Sequence, residues 1–187
     1  DNRLEDVLFY ANEILTPTGA GQRTAVVVSG LDMTLINNVI IGTGGTGIIV
    51  SQRGIEPAPE RVIVSHNSGY RTDTGGFTLV QIDPECVECV GANNVAKATT
   101  ALAVPVSNAS GSSIVTGNKA LAFTATGDFV DDTPAGFAGM RLIAGSDCID
   151  IGNPDYWMGQ DFDGTKKPFT VGSVSGIPDV GAFEFGD

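Results

Sequence analysis

Asparagine returns at one place in a repeating unit, and that return restricts the fold more than any other feature of the chain. The markers are Asn12, Asn38, Asn67, Asn94 and Asn118, separated by 26, 29, 27 and 24 residues. With Asn38 of TLINNVII aligned on Asn67 of VIVSHNSGY, Leu35 and Val64 fall three positions earlier, and Met33 and Val62 five positions earlier. Apolar residues at alternate positions are what a strand with one inward face requires. The frame recurs upstream in VLFYANEIL, with Val7, Phe9, Asn12 and Ile14. Downstream it recurs in CVGANNVAK (Cys89, Gly91, Asn94, Ala96) and SIVTGNKAL (Ser113, Val115, Asn118, Ala120), where Gly91 and Ser113 are poor core residues.

A second apolar run follows most markers: residues 25–30 (AVVVSG), 47–52 (GIIVSQ), 77–82 (FTLVQI) and 101–106 (ALAVPV). Residues 53–60, rich in Pro and Glu, read as an inserted loop, and residues 70–76 as a turn. Units of this length with several short strands indicate a solenoid. Leucine-rich repeats share the period, but their L-x-x-L-x-L spacing is missing. A β-sandwich spaces short strands regularly, yet gives no reason for one residue type to return once per unit. A coiled parallel sheet does. Its turns stack about 4.8 Å apart, equivalent asparagines line up, and each amide can bond its neighbours above and below. A tight bend needs left-handed backbone, which Asn tolerates. The competing reading is a set of exposed turn asparagines in a chain with 25 glycines.

Composition narrows the function. Hydrophobic content of 42% excludes a disordered chain. A net charge of −12 repels phosphate backbones and anionic membrane surfaces, which argues against nucleic acid as a partner. The same acidity is compatible with an extracellular or saline setting. No run of about 20 apolar residues is present, so no membrane span is expected. The opening DNRLEDV shows no signal peptide and could follow a cleavage or an upstream domain. Cys86, Cys89 and Cys148 cannot all pair within the chain. The Cys86–Cys89 C-x-x-C could be a redox pair, half a zinc site or a small disulfide loop. Zinc would need two further ligands, with only Cys148 and His66 on offer. Small buried residues at strand positions are the simpler expectation.

TLINNVIIGTGGTGIIV, residues 34–50, resembles the rungs of the right-handed parallel β-helix family, the pectate-lyase-like solenoids. The C-terminal third resembles the ending shared by many large secreted bacterial β-helix proteins. Phe129, Val130 and Asp131 match its opening; Arg141, Leu142, Ser146, Ile149, Asp150 and Gly152 match its middle. Asp161, Asp163, Gly164 and Pro168 match its D-x-D-G-x-x-R-P block, and Asp179, Gly181, Ala182 and Glu184 match its D-I-G-A-x-E close. Lys167 stands where Arg is usual, and Cys148 where a small residue is usual. The resemblance implies an all-β, right-handed parallel β-helix of about five coils over residues 1–126, with last strands and a C-terminal cap over residues 127–187 in the same domain. Trp157, Phe162 and Phe169 are expected to pack onto the coil. A cap at that end would cover unpaired strand edges. Residues 1–6 are too short for a cap at the other end, so the first coil is expected to be covered by upstream chain or by another copy.

The family contains polysaccharide lyases and hydrolases as well as adhesins and surface proteins without activity, and fold alone does not choose among them. His66, Tyr70 and Arg71, with Asp73, are the candidates for a base and an electrophile. However, His66 stands one residue before a marker, in register with Asn37 and Asn93, which favours a structural turn role. Asp155, Asp161 and Asp163, near Asn153, form a fragment of a Ca²⁺ loop without the full oxygen set, and a structural turn is the better expectation. Asn108-Ala-Ser fits a glycosylation sequon, which carries no weight in a bacterial-looking sequence. The glycines of residues 42–47 lack the Lys and helix start of a phosphate loop and read as a corner.

The expected function is an extracellular bacterial scaffold, or a segment binding a polysaccharide or cell-surface glycan, within a larger secreted protein. Two alternatives stand beside it: the last coils of a polysaccharide lyase or glycoside hydrolase, and a self-assembling subunit stacking through its bare first coil.

Overall fold

A computed structural model of the chain describes residues 7–16, 24–42, 44–157, 161–162 and 177–185. Within them, short strands build three parallel sheets. The first holds β1 (Leu8–Tyr10), β4 (Thr34–Ile36), β7 (Ile63–Ser65), β10 (Val90–Ala92) and β13 (Ile114–Thr116). The second holds β2 (Glu13–Leu15), β5 (Val39–Gly42), β8 (Ser68–Arg71), β11 (Val95–Ala98) and β14 (Lys119–Ala120). The third holds β3 (Thr24–Val28), β6 (Thr46–Val50), β9 (Phe77–Ile82) and β12 (Ala103–Asn108). The chain visits the sheets in turn, giving four complete coils and two strands of a fifth: a parallel β-helix.

Register stacks like residues on like. Phe9, Leu35, Val64, Gly91 and Val115 form one inward column of the first sheet. Ile14, Ile40, Gly69, Ala96 and Ala120 form one of the second. Leu35, Ile48, Val50, Val64, Leu79 and Ile82 are buried together inside the coil, each contributing about 1.5–3 kcal/mol of transfer free energy before entropy is set against it. Gly91, a poor core residue by sequence, is required by its neighbour. A Cβ there would lie 2.8 Å from a Val106 γ-methyl, so β12 fills the space that β10 leaves.

The corners use left-handed backbone in columns. Between first and second sheets the residues are Ala11, Asn37, His66 and Asn93, with φ of 49°, 55°, 52° and 53°, followed by Gly117. Between third and first sheets they are Asp32, Arg61 and Glu88, each at φ 53°. The sequence reading placed the left-handed residue at the marker asparagine. It is instead the residue before it, and this leaves each marker free to bond along its column.

The chain after β14 does not form last strands within the described residues. It holds two 3₁₀ turns, Phe137–Met140 and Pro154–Tyr156, and one antiparallel bridge between Phe129 and Leu142. It lies along the outer face of the second sheet. There Val39, Ile41, Tyr70 and Val95 pack with Phe129, Met140, Leu142, Cys148, Val180 and Phe183 into a second core. The reason is visible in β5: Val39, Ile40 and Ile41 are all apolar, so the sheet needs cover on both faces. This flank braces the coils. Phe137 N–H donates to Glu13 Oε1 (2.8 Å) on the first coil, Ala182 N–H to Ser68 Oγ (2.8 Å) on the third, and Lys119 on the fifth pairs with Asp147 (3.4 Å). The inward residues of the last coil stay open: Val115 is 42% exposed and Ala120 is exposed.

Candidate functional site

The five marker asparagines form one continuous hydrogen-bonded column. From Asn38 onward, each Oδ1 accepts both the backbone N–H and an Nδ2 hydrogen of the marker one coil earlier. Asn12 donates twice to Asn38 (both 3.0 Å), Asn38 twice to Asn67 (both 2.9 Å), Asn67 twice to Asn94 (both 3.0 Å), and Asn94 twice to Asn118 (2.8 and 3.1 Å). The remaining Nδ2 hydrogen reaches a carbonyl: Tyr10 from Asn12, Phe9 from Asn38, Leu35 and Ser65 from Asn67, Val64 from Asn94, and Gly91 and Thr116 from Asn118. Asn38, Asn67 and Asn94 are fully buried, and this network offsets the desolvation of their amides.

His66 is sealed beside the column. Its ring is buried, T-stacked on Trp157 with centroids 5.2 Å apart. Asn93 Nδ2 approaches His66 Nε2 at 3.1 Å, so that nitrogen accepts, and Nδ1–H then donates to Ser65 Oγ at 2.8 Å. Burial pushes the imidazole pKa down to about 3, so the ring is neutral. Asn93 also ties the flank to the corner: its Nδ2 donates to Asn153 O (2.9 Å) and its Oδ1 accepts from Asn153 N–H (2.6 Å). Tyr70 is buried in the second core, its hydroxyl accepting from Thr99 Oγ1 at 3.4 Å. The Arg71 guanidinium turns onto Asp73 and the carbonyls of Thr74 and Gly76, clamping the turn that follows β8. The three catalytic candidates therefore do not converge on an open surface. A base whose lone pair is already taken by Asn93 beneath a tryptophan cannot reach a polymer substrate.

Of the three metal candidates, Asp155 and Asp161 lie among the described residues. Asp155 is exposed on its turn, with its N–H donating to Asn153 Oδ1 (3.0 Å). Asp161 is buried, and its carbonyl accepts from the Tyr10 hydroxyl. Asp163, like Gly164, Lys167, Pro168 and Phe169, lies outside the described residues. Among the described residues no group of three or more His, Cys, Asp or Glu is arranged to hold a metal ion. Cys86 and Cys89 are free thiols inside the coil, and Cys148 is a free thiol in the second core. They do not join His66 in a zinc site. Cys86 Sγ–H donates to Val50 O at 3.1 Å; its contact with Cys89, then burial, raises its pKa above the usual thiol range. Burial pushes Cys148 up to about 12.

Residues 177–185 work as a pin. Asp179 Oδ1 accepts from Asp150 N–H (2.7 Å), its Oδ2 from Phe185 N–H (2.6 Å), and its own N–H points at the Glu184 carboxyl (3.2 and 3.3 Å). Burial, then the nearby Asp179, raises Glu184 to about 8, and burial raises Asp179 as well. Sequence reasoning marked these positions but not their action. Nor did it find Asn93, Asn153 and Ser68 as the ties between flank and coil. The signal for Asn93 was present, since it shares a column with Asn37 and His66.

No family model, curated protein or solved structure matches the chain. No helix among the described residues is long and apolar enough to cross a membrane.

Proposed function

We propose that this chain is a non-catalytic β-helix scaffold within a secreted or cell-surface bacterial protein, built to hold an extended surface in fixed shape. One observation carries the reading. The outer face of the second sheet, where Tyr70 stands, and the adjoining corner that holds His66 are spent on gripping the chain's own C-terminal flank, through Ser68, Asn93 and a shared apolar core. A face filled from within is a structural joint. The acidic surface and the resemblance of the rungs and ending to secreted bacterial β-helix proteins support the extracellular setting. A polysaccharide or cell-surface glycan is the partner class that goes with it.

A polymer-cleavage screen, with and without Ca²⁺, tests the reading. No turnover by the chain is expected with pectic, alginate-type or neutral glycans. Robust turnover by the chain alone overturns it in favour of the lyase or hydrolase alternative.

A further inference from the structure

Cys86 and Cys89 are two thiols sealed into one corner of the coil, and we propose that they close into a disulfide that locks the bend between the third sheet and the first. The inference goes beyond the scaffold reading and does not rest on it.

The corner itself brings the two sulfurs together. Each of these bends passes through one left-handed residue: Asp32, Arg61 or Glu88. Glu60 and Val87 bridge in parallel just before it, so Cys86 takes the place that Pro59 has one coil earlier, and Cys89 the place of Val62. Both addresses are inward. Pro59 and Val62 are buried in one coil and Cys86 and Cys89 in the next, while Val87 and Glu88 between the cysteines are exposed. A bend with two outward residues thus turns its two flanking side chains into the same space. There the thiols touch each other within the core of the coil. Cys86 Sγ lies 3.1 Å from Val50 O, and Cys89 Sγ 3.5 Å from Val87 O. The other corners carry Gly30 and Met33, Pro59 and Val62, and Ser110 and Ser113 at these addresses, none of them a pair that can bond covalently.

The donor set selects a disulfide over a metal. Among the described residues no third His, Cys, Asp or Glu is grouped with the pair to hold an ion. Cys148 lies in the second core, and His66 stands at the corner between the first and second sheets. Two thiols alone can still bond to each other, provided that their geometry brings the sulfurs into contact.

The chemistry is thiol–disulfide exchange. Contact with the Cys86 thiol holds Cys89 below the usual thiol range, against the effect of burial, so Cys89 is the thiolate that begins it. It attacks one sulfur of a small-molecule disulfide such as oxidised glutathione, forming a mixed disulfide and releasing one glutathione. Cys86 then loses its proton and attacks Cys89 Sγ, which releases the second glutathione. Two protein thiols are oxidised, one disulfide oxidant is reduced to two thiols, and both protein protons end on the released thiols. The corner between β12 and β13 then covers the pair. Ser110 Oγ–H donates to Cys86 O at 2.6 Å, and Cys89 N–H donates to Ser113 Oγ at 3.2 Å. With Cys86 2% and Cys89 0% exposed, oxidation belongs to folding, and the finished bond is out of reach of external thiols.

Refolding the reduced, urea-unfolded full chain in a glutathione redox buffer tests the bond. The product is alkylated with iodoacetamide in urea and digested with trypsin. Cleavage after Arg71 and Lys97 releases residues 72–97, which carry Cys86 and Cys89 but not Cys148. That peptide should be unalkylated and lighter by two hydrogens than its dithiol form, with Cys148 alkylated. Dithiothreitol should open the bond in urea and leave it intact in the native chain. The urea midpoint of the oxidised chain should stand about 1 M above that of chain refolded in reductant. The shift should persist in Cys148→Ala and vanish when Cys86→Ala and Cys89→Ala are combined. Several results overturn the inference: both cysteines of residues 72–97 alkylated after refolding in the redox buffer, Cys148 paired with either of them, a bond reduced as fast in the native chain as in urea, or a midpoint shift that survives in the double variant. None of these touches the scaffold reading, which fails separately, on polymer turnover.

Discussion

Removing the central amide of the asparagine column should cost far more than removing one at its end. Asn67 is fully buried and accepts two bonds from Asn38, at 2.9 Å each. It also donates from Nδ2 to Asn94 Oδ1 and to the carbonyls of Leu35 and Ser65. Asn67→Ala leaves the Asn38 N–H and one Asn38 Nδ2 hydrogen buried with no acceptor. Each stranded donor costs about 1–3 kcal/mol, and the weakened carbonyls add to that, so the total is about 4 kcal/mol. Asn12 accepts nothing from an earlier marker, and Asn38 Oδ1 keeps the Asn12 backbone N–H when that side chain is lost. Asn12→Ala should therefore cost only about 1 kcal/mol. Against a total stability of roughly 5–15 kcal/mol, the first change is severe and the second mild. Asn67→Asp should be worse than Asn67→Ala near neutral pH, because it turns a donor into an acceptor and sets it against Asn94 Oδ1. Urea unfolding followed by far-UV circular dichroism measures all three, with an unchanged slope showing that the same cooperative unit unfolds. The reasoning fails if Asn67→Ala and Asn12→Ala differ by less than about 1 kcal/mol, a gap well below the difference in stranded donors, or if Asn67→Asp matches wild type.

Glu184 makes stability fall with rising pH. Its folded pKa of about 8 lies above the ordinary 4.5, so its contribution is full below 4.5 and is lost as pH climbs through 8; Asp179 acts in the same sense. Glu184→Gln should flatten that slope, which is worth on the order of 4 kcal/mol across the window, in urea midpoints taken from pH 4.5 to 9. His66 acts oppositely: with its pKa lowered from 6.5 to about 3, its contribution is present above 6.5 and lost as pH falls through 3. His66→Asn, the residue that the same corner column carries at Asn37 and Asn93, should keep the left-handed turn and reduce acid sensitivity, measured by thermal melts at pH 3 to 7. Gly91→Ala should destabilise by about 1–3 kcal/mol through overpacking against Val106. Val106→Ala in the same chain should recover part of that loss, and a double-mutant cycle with no coupling would refute the contact.

The strand frame of the coils was legible in the sequence because a stacked solenoid repeats one local problem. Each coil must place an inward apolar residue, a bend and an amide at the same address, so the address shows as Asn12, Asn38, Asn67, Asn94 and Asn118 without any knowledge of contacts. The register of His66 with Asn37 and Asn93 pointed to a corner for the same reason. What lies between coil and flank carries no period. Whether residues 127 onward cross the end of the coil or run along its side depends on which outer face is apolar. That is a property of Val39, Ile41, Tyr70 and Val95 taken together across three coils. Only the tertiary structure brings those four side by side, seals His66 beneath Trp157, and sets Asp179 against Glu184. Repetition can be read along one dimension, whereas burial is fixed by distances in three.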